Sequence, residues 1–227
     1  VNPLRGQNNV QGSCDTGALP NVFSGYQSVA DEAIRKKFEA AWSVEGLPAK
    51  PGLTVTEIVT AAGKGTIKAL YIMGENPVIS DPDSNHVRKC LSDAEFLVVQ
   101  DIFLTDTAEY ADVVLPSASF AEKDGTFTNT ERRVERIRKV IAPPGKAKAD
   151  WEILCAVAKK AGYEGMNYKH PSEIMDEITR LTPIYGGMSY DRLEPYGLQW
   201  PCPTKEHPGT PVLHKEKFTK GKGTFMP

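Results

Sequence analysis

Carboxylate and amide side chains follow two short apolar runs of this sequence. Glu75 and Asn76 come after the run that begins at Ile67, and Gln100 and Asp101 come after the run that begins at Phe96. A carboxylate in such a place can accept hydrogen bonds from a ribose hydroxyl or from the amide edge of guanine. These residues therefore form a candidate nucleotide site, although each could instead make a hydrogen bond within its own loop or cap a helix.

Other familiar chemical signatures are absent from the sequence. It contains neither of the common phosphate-binding patterns, Gly-x-Gly-x-x-Gly or Gly-x-x-x-x-Gly-Lys-Ser/Thr, and no signature of a Ser/His/Asp or Cys/His nucleophile. The four cysteines, Cys14, Cys90, Cys155 and Cys202, are far apart and form no Cys-x-x-Cys. We therefore expect reduced structural cysteines and no zinc or iron–sulfur site within this chain.

Three apolar runs place the candidate residues at the ends of strands. Ile67–Met73, 96–99 and 113–115 are short and rich in Val, Ile and Leu, which is typical of parallel strands buried on both faces. A helical pattern separates the first two runs, so the segment from Ile67 to Asp101 is predicted to be a β-α-β unit. Ligands of open α/β sheets bind outside the carboxyl ends of the strands.

The predicted fold class is therefore α/β. We expect a partial doubly wound, Rossmann-like parallel sheet from about Thr54 to Leu115, followed by a mixed, helix-containing segment. The apolar spacing and capping residues predict six helices. These are Ala30–Trp42, a helix capped by Thr54 and ending at Gly63, one with Asp81 as N-cap and Pro82 in its first turn, a short one from Thr105 to Tyr110, one from Asp150 to Gly162, and one after Pro171.

The remaining segments are predicted to be irregular or extended. Residues 5–20 favour a flexible surface loop, or a loop that lays polar groups against a ligand. Asp124-Gly125 indicates a turn between two extended pieces. Five of the eight residues 132–139 are basic, which favours a solvated edge strand or a local contact with an anion or partner. Residues 183–211 are expected to wrap a surface, and 218–227 to begin a strand pair.

Composition excludes several classes of protein. The net charge of −2 comes from signs that are mixed along the chain, which argues against a nucleic-acid-binding surface. No apolar run approaches the length of a membrane span, and no signal peptide opens the sequence. We therefore expect a cytoplasmic protein without a membrane span. The first residue is not methionine, so the sequence has the character of a part of a longer chain.

Several motifs together give the sequence a family resemblance. It resembles the catalytic (alpha) subunit of molybdenum- or tungsten-dependent formate dehydrogenases over nearly its whole length. The matching stretches are Asn2-Pro-Leu-Arg-Gly-Gln-Asn-Asn-Val-Gln-Gly12, Cys14-Asp, Gly17-Ala-Leu-Pro20, Tyr71-Ile-Met-Gly-Glu-Asn-Pro77, Val99-Gln-Asp101, Thr107-Ala-Glu-Tyr-Ala-Asp-Val-Val-Leu-Pro116, Glu122-Lys-Asp-Gly125, Asn129-Thr-Glu-Arg-Arg133, Lys148-Ala-Asp-Trp151 and Gln199-Trp-Pro-Cys202.

The resemblance implies a particular chemistry. Enzymes of this family hold molybdenum or tungsten between two molybdopterin guanine dinucleotides, oxidise formate to carbon dioxide and pass the electrons to an iron–sulfur cluster. Arg5 falls on the arginine that would hold the formate carboxylate, a task that suits a planar, permanently charged donor. Gln7 would lie close by, and Asn2 would contact the pterin.

The resemblance also assigns the strand-end residues to a cofactor pocket. Asn76, Gln100 and Asp101 match positions that contact the guanosine part of one cofactor, with Asp101 accepting the N–H groups of guanine. Further implied cofactor contacts are Gly74, Ser80, Ser117, Lys123 and Asp150.

The departures from the family are equally specific. The four-cysteine cluster motif, the selenocysteine or cysteine metal ligand with its histidine, the strands for the second cofactor and most of the C-terminal barrel are missing. This chain is thus expected to be inactive alone, as a fragment or as one chain of a split enzyme. Its implied partners are the remainder of the catalytic subunit, formate, and an electron-acceptor subunit of the iron–sulfur or hydrogenase type.

The resemblance divides the chain into four parts and leaves two other functions open. Residues 1–52 would form the active-site loop and a lead-in helix, 53–120 the guanosine-binding α/β domain, 121–212 a mixed helical segment and 213–227 the start of the barrel. One alternative is a nitrate-reductase-like oxidoreductase of the same superfamily. Another is a non-catalytic module that holds the cofactor for a partner or for assembly.

Overall fold

The computed structural model describes residues 6–218 and 221–222 of the chain. In these ranges the chain forms short helices and strands that alternate along the sequence. The elements are α1 (Val10–Asp15), β1 (Val22–Phe23), β2 (Gln27–Ser28), α2 (Glu32–Trp42), α3 (Val55–Gly63), β3 (Leu70–Met73), α4 (Pro77–Ser80), α5 (Ser84–Ser92), β4 (Leu97–Asp101), β5 (Val113–Pro116), β6 (Gly125–Thr128), β7 (Arg133–Ile137), α6 (Asp150–Lys160), α7 (Pro171–Leu181), α8 (Tyr190–Leu193) and β8 (Leu198–Gln199).

A three-stranded parallel sheet in the order β3-β4-β5 organises the first half of the chain. The predicted strands and the β-α-β unit are confirmed, with strand starts later than expected at Leu70 and Leu97. Helices α3 and α5 share one core with the sheet. Its buried residues include Val59, Ile72, Val78, Val87, Leu91, Leu97 and Val99.

The prediction that these strands are buried on both faces is correct only for the central strand. Ile72 faces the helices, and its neighbours Tyr71 and Met73 point to the opposite face, where they are 37% and 49% exposed. Val113 and Val114 of β5 are also partly exposed. Helices α3 and α5 cover one face of the sheet, and within the described residues the opposite face stays open at the two outer strands.

The helix starts show which local signals decided the structure. The capping box of α3 is confirmed, since Glu57 Oε2 accepts from the backbone N–H of Thr54 at 2.8 Å. The prediction of Asp81 as an N-cap is wrong. Pro77 starts the extra turn α4 and its carbonyl accepts from the N–H of Asp81 at 3.0 Å, so the cap moves to Asp83, whose carboxylate accepts from His86 N at 3.2 Å.

An antiparallel sheet in the order β6-β7-β8 organises the second half. The predicted turn at Asp124-Gly125 is wrong, because the chain turns at residues 129–132 instead. There Asn129 Oδ1 accepts from the N–H groups of Glu131 and Arg133, both at 3.0 Å, and Arg132 adopts φ +69°. Strand β7 is central, so the edge-strand prediction is also wrong, and Val134 is fully buried.

The segment 183–211 contributes to a core and does not wrap a surface as predicted. Tyr185, Met188, Leu193 and Cys202 are buried there together with Val134. Tyr185 and Tyr190 of this segment therefore contribute to that core, whereas Tyr196 is 86% exposed.

The remaining predictions, for other helices and for the ends of the chain, have mixed outcomes. The predicted loop 5–20 contains α1, while α2, α6 and α7 occur close to their predicted places. In α6 the N-cap is Ala149, and Asp150 is the first helical residue. Of the predicted C-terminal strand pair, the described residues contain a single antiparallel bridge between Phe218 and Gly221, and the remainder lies outside the described ranges. Among the described helices, none has the length and apolar character needed to cross a bilayer.

Replacing Gly63 by alanine should destabilise the protein, although alanine in a helix interior is normally more stabilising than glycine by about 1 kcal/mol. A Cβ at position 63 would lie 2.7 Å from both Cα and Sγ of Cys90 in α5. We expect the free energy of unfolding to fall by about 1–3 kcal/mol, the usual cost of overpacking. Urea unfolding followed by circular dichroism measures it.

The control is Asn85→Ala at an exposed position of α5. This change should leave the unfolding midpoint unchanged or raise it slightly. An equal rise for Gly63→Ala would contradict the close packing of α3 on α5.

Candidate functional site

The carboxyl ends of the three parallel strands lie side by side. The strand register pairs Met73 with Gln100 and Asp101 with Pro116, so the residues that follow these positions share one edge of the sheet. Gly74 N donates to the carbonyl of Gln100 at 2.9 Å, and Ser117 N donates to the carbonyl of Asp101 at 3.0 Å. The edge predicted from the sequence is therefore formed by residues close in space.

A chain of hydrogen bonds runs through this edge. Gln100 is fully buried, and its Nε2 donates to Asp150 Oδ1 at 2.8 Å. The hydroxyl of Tyr71 donates to Gln100 Oε1, and Lys123 Nζ donates to Asp150 Oδ2. Both polar ends of the glutamine amide are therefore fixed, and β3, β4, the start of α6 and the segment before β6 are joined.

The charge of Asp150 is stabilised in this arrangement. Burial by itself would raise the pKa of Asp150, but the hydrogen bond and charge of Lys123, with the hydrogen bond from Gln100, outweigh it and lower the pKa. Burial, aided by the charge of Asp150, raises the pKa of Tyr71. Asp150 is therefore a carboxylate and Tyr71 a neutral donor at neutral pH.

Two polar atoms at this edge have hydrogen-bonding capacity that the described residues do not use. Ser117 is 7% exposed and near enough to Asp150 to favour its charge, yet its Oγ has no hydrogen-bond partner of normal geometry among the described residues. Asp101 Oδ1 accepts from the N–H of Phe103 at 2.9 Å, while Oδ2 accepts no hydrogen bond from the part of the chain that is described. Since a buried hydroxyl without a partner is costly, an added polar ligand would relieve Ser117.

Gly74 leaves free space at the end of β3. It adopts φ +65°, and a Cβ built there would meet no atom within 4 Å. Because L-residues with side chains rarely adopt this φ, glycine suits the tight exit from β3.

Asn76 and Ser80 lie at the same edge but bond to the protein itself. Asn76 Oδ1 accepts from Thr107 Oγ1 at 2.7 Å, and its Nδ2 donates to Asp106 at 3.4 Å. Ser80 Oγ donates to Glu75 Oε1 at 2.6 Å. Asn76 therefore fixes the loop after β3 against the loop after β4, which leaves its amide little capacity for a ligand.

The residues predicted for substrate binding lie before α1. Gln7 is exposed and stands two residues before Asn9, the N-cap of α1. Arg5 and Asn2 lie outside the described residues. The structure thus groups most of the predicted cofactor residues at one edge and places Gln7 on a separate segment.

Sequence reasoning missed one contributor to this region, Tyr71, and one buried carboxylate outside it, Asp15. Tyr71 lies in a predicted strand and in a matching motif without a predicted role, yet the period-2 alternation with Ile72 indicates that its side chain leaves the core face. Asp15 was part of a predicted loop, and it is fully buried. The spacing of Gln11 and Asp15, four residues apart, was the one local signal for a helix there.

A large groove elsewhere on the surface does not add to the site. This groove of about 990 Å³ lies between α2, α6 and α7 and contains none of the candidate residues. Within residues 6–218 and 221–222, no group of three or more His, Cys, Asp or Glu side chains is placed to hold a metal ion.

Comparisons with known sequences give consistent results. The family model described as "Molybdopterin oxidoreductase" matches residues 2–160. The chain is 56% identical over 230 residues to "F420-dependent formate dehydrogenase subunit alpha" of Methanocaldococcus jannaschii, a match that covers 100% of this chain and 34% of that protein. It is 46% identical over 226 residues to "Formate dehydrogenase H" of Escherichia coli, covering 98% of this chain and 32% of that protein. The chain spans about a third of the length of these curated relatives.

A solved structure has a similar fold. Acetylene hydratase from Pelobacter acetylenicus matches with a TM-score of 0.52 and 21% identity, over 75% of this chain and 24% of that chain. At this identity the likeness concerns the fold alone, and it supports the α/β assignment.

Replacing Lys123 by methionine should destabilise the protein in a pH-dependent way. The lowered pKa of Asp150 contributes stability above the pKa of an unfolded aspartate, about 3.9, and this contribution is lost as the pH falls through the lower folded pKa. Without Lys123, the partly buried carboxylate costs about 1–3 kcal/mol at pH 7. Urea unfolding at pH 7 and at successively lower pH measures the difference.

We expect the difference in the free energy of unfolding between the original protein and Lys123→Met to shrink as the pH falls below 4. Lys146→Met is the control, since this exposed lysine forms none of the ion pairs of the described residues. A difference that stays constant with pH, or that is equal for the two variants, would contradict the role given to the Lys123–Asp150 pair.

Proposed function

Because this chain belongs to the molybdopterin oxidoreductase family, we propose that it is part of the catalytic subunit of a formate dehydrogenase. The whole enzyme would oxidise formate to carbon dioxide and pass the electrons to an iron–sulfur cluster held by another part of the subunit. An electron-acceptor subunit would receive them there. Support comes from the relatives whose names state formate dehydrogenase at 46–56% identity over almost the entire chain.

The observation that carries the proposal is the set of unused polar groups at the carboxyl edge of the parallel sheet. Ser117 Oγ is buried and lacks a partner in the described structure, Asp101 keeps one carboxylate oxygen unbonded there, and Gly74 leaves free space at the end of the neighbouring strand β3. These features fit the guanosine end of a molybdopterin guanine dinucleotide, whose base offers N–H donors and whose ribose offers hydroxyls. The location agrees with the general rule for ligands of open α/β sheets.

Each residue at this edge has a proposed role. Asp101 accepts the N–H groups of guanine through its unbonded oxygen, and Ser117 bonds a polar atom of the cofactor. Gln100 is held by Tyr71 and Asp150, so it presents a fixed surface rather than a free amide. Lys123 has three N–H donors, so it can keep its bond to Asp150 and still meet an anionic group of the cofactor.

Asn76 and Ser80 receive a smaller role in this proposal. Their side-chain bonds to Thr107 and Glu75 make them supports for the loop around the cofactor, while their backbone groups stay candidates for contact. Gly74 supplies the open turn that lets the cofactor approach the backbone.

The substrate would bind on the segment before α1. When bound between two such cofactors, molybdenum or tungsten supplies the two-electron acceptor chemistry that formate oxidation requires. Arg5 would hold the formate carboxylate with paired N–H donors, Gln7 would lie beside it, and Asn2 would contact the pterin. The chain itself therefore contributes orientation and charge, and the redox chemistry is that of the cofactor.

Replacing Asp101 by asparagine should remove discrimination between guanine and hypoxanthine. Asparagine can still accept from the N–H of Phe103, but its amide group then faces the guanine N–H donors. In the complete subunit freed of cofactor, GDP should bind about 5- to 150-fold more weakly, which corresponds to about 1–3 kcal/mol. Isothermal titration with GDP and with inosine diphosphate, which lacks the 2-amino group, measures the preference.

Asp93→Asn, at the end of α5, is the matched control and should keep the preference for GDP. If Asp101→Asn also prefers GDP over inosine diphosphate by the original ratio, Asp101 does not recognise the guanine edge.

Replacing Arg5 by lysine should abolish most formate turnover while the metal content stays normal. Lysine keeps the charge but cannot form the planar pair of hydrogen bonds to a carboxylate. We expect kcat/KM for formate to fall by about 10- to 150-fold, because one charged hydrogen bond contributes about 1.5–3 kcal/mol. Formate-dependent dye reduction by the complete enzyme, with metal analysis of the same sample, measures both quantities.

The control removes a charge elsewhere, by Arg180→Ala at an exposed position of α7. It should leave turnover unchanged. Unchanged formate turnover by Arg5→Lys would reject the assignment of formate to Arg5. An unaltered enzyme that acts on nitrate and not on formate would reject it as well.

A further inference from the structure

A buried carboxylate in this structure is not used by the proposed cofactor site. Asp15, the last residue of α1, is fully buried and accepts four hydrogen bonds. Its Oδ1 accepts from Gln11 Nε2 at 2.8 Å and from the Tyr26 hydroxyl at 2.7 Å. Its Oδ2 accepts from the Tyr185 hydroxyl and from Trp200 Nε1, both at 2.7 Å. The acceptor positions of both oxygens are thus in use.

The four donors come from four separate parts of the chain. Gln11 belongs to α1, Tyr26 to a short turn between β1 and β2, Tyr185 to a turn after α7, and Trp200 to the segment after β8. Burying a carboxylate is favourable only when its hydrogen bonds are satisfied, so all four segments must adopt their places together. Asp15 therefore joins the N-terminal segment to the second half of the molecule.

Two further observations show that Asp15 and its donors form a specific arrangement. Burial, followed by the proximity of Asp15, raises the pKa of Tyr26 and of Tyr185, which keeps both phenols as donors. The Arg132 guanidinium lies 5.3 Å from the centre of the Trp200 ring. Arg132 thus places a positive charge over the face of the indole ring whose N–H donates to Asp15.

Helix α1 depends on such contacts because it is short. Six residues cannot sustain a helix alone, and Asn9 makes no side-chain cap bond to α1. Instead, Asn9 Oδ1 accepts from Thr128 N of β6 at 2.9 Å. A Cβ at Gly12 would lie 2.2 Å from that oxygen, so glycine is required for the contact. The helix is thus fixed at its first turn by Asn9 and at its last residue by Asp15.

From this geometry we infer that Asp15 is a positioning residue: it fixes α1, and with it the adjoining residues 6–9 that include Gln7, against the second half of the molecule. The inference rests on the proposed function for the role of Gln7. It adds that the substrate-binding segment is held from behind, by a carboxylate that touches neither substrate nor cofactor.

The test compares Asp15→Asn with the unaltered complete, cofactor-loaded catalytic subunit. Asparagine has the same shape, but its amide group must face two of the four donors. Trp200 Nε1 can only donate, whereas Tyr26 and Gln11 can turn to accept. The variant can therefore fold with its amide NH2 group toward Gln11 and Tyr26, but with weaker hydrogen bonds to fix α1.

We expect two results for Asp15→Asn. Amide hydrogen exchange in residues 10–16 should accelerate at least about tenfold, while exchange in α3, α5 and α6 stays unchanged. KM for formate should rise about tenfold with the pterin and metal contents unchanged, which a general loss of folding would not produce. Tyr26→Phe removes one of the four donors at a partly exposed position and should give smaller changes in the same direction.

Glu177→Gln is the matched control. Glu177 also accepts from an indole and a phenol, Trp42 Nε1 at 3.0 Å and the Tyr168 hydroxyl at 2.6 Å, but it joins α2 to α7. This variant should change neither the exchange of residues 10–16 nor KM for formate.

Either of two results would overturn the inference. One is unchanged exchange in residues 10–16 of both Asp15→Asn and Tyr26→Phe. The other is faster exchange with an unchanged KM, which would make Asp15 an anchor for α1 alone. If the unaltered subunit oxidises no formate, the proposed function fails instead, and hydrogen exchange of residues 6–16 by itself decides whether Asp15 fixes this segment.

Discussion

The bond between Lys123 and Asp150 at the carboxyl edge of the parallel sheet is the contact on which the site depends. Asp150 starts α6, and its two oxygens join Lys123, before β6, to Gln100 at the end of β4. The first half of the molecule supplies the sheet and the second half supplies this ion pair. The edge therefore exists as a site only when the two halves are packed together, and both halves contribute to the proposed guanosine pocket.

Two carboxylates of the described residues, Asp15 and Asp150, are satisfied in different ways. Asp15 receives four hydrogen bonds from neutral donors and has no capacity left for a ligand. Asp150 is only partly enclosed, and its partner Lys123 keeps further donors. The first arrangement suits a fixed support behind a substrate segment, and the second suits a surface that meets an anionic cofactor.

Local sequence signals predicted the structure well where neighbouring residues decided it. The three strands follow from their apolar runs, and α3 follows from the Thr54–Glu57 capping box. The cap of α5 was misplaced because the turn after Pro77 moved it to Asp83. The β6–β7 turn was misplaced because Asn129, rather than Asp124-Gly125, supplies the turn hydrogen bonds.

Long-range contacts were beyond the reach of such signals. The burial of Asp15 depends on Tyr185 and Trp200, which lie 170 and 185 residues further along the chain. The Gln100–Asp150 bond likewise joins residues 50 apart. The sequence could thus predict which residues gather at the strand ends, Gln100 and Asp101 among them, but not that Tyr71 would fix Gln100 from the exposed face of β3.

The location of the cofactor in the complete catalytic subunit tests the central claim most directly. A cryo-electron microscopy map of the cofactor-loaded subunit would show it. The account predicts that the guanine edge lies within hydrogen-bond distance of the second oxygen of Asp101 and that a polar atom of the cofactor satisfies Ser117 Oγ. A map in which other protein segments cover this edge, with both guanines bound elsewhere, would contradict it.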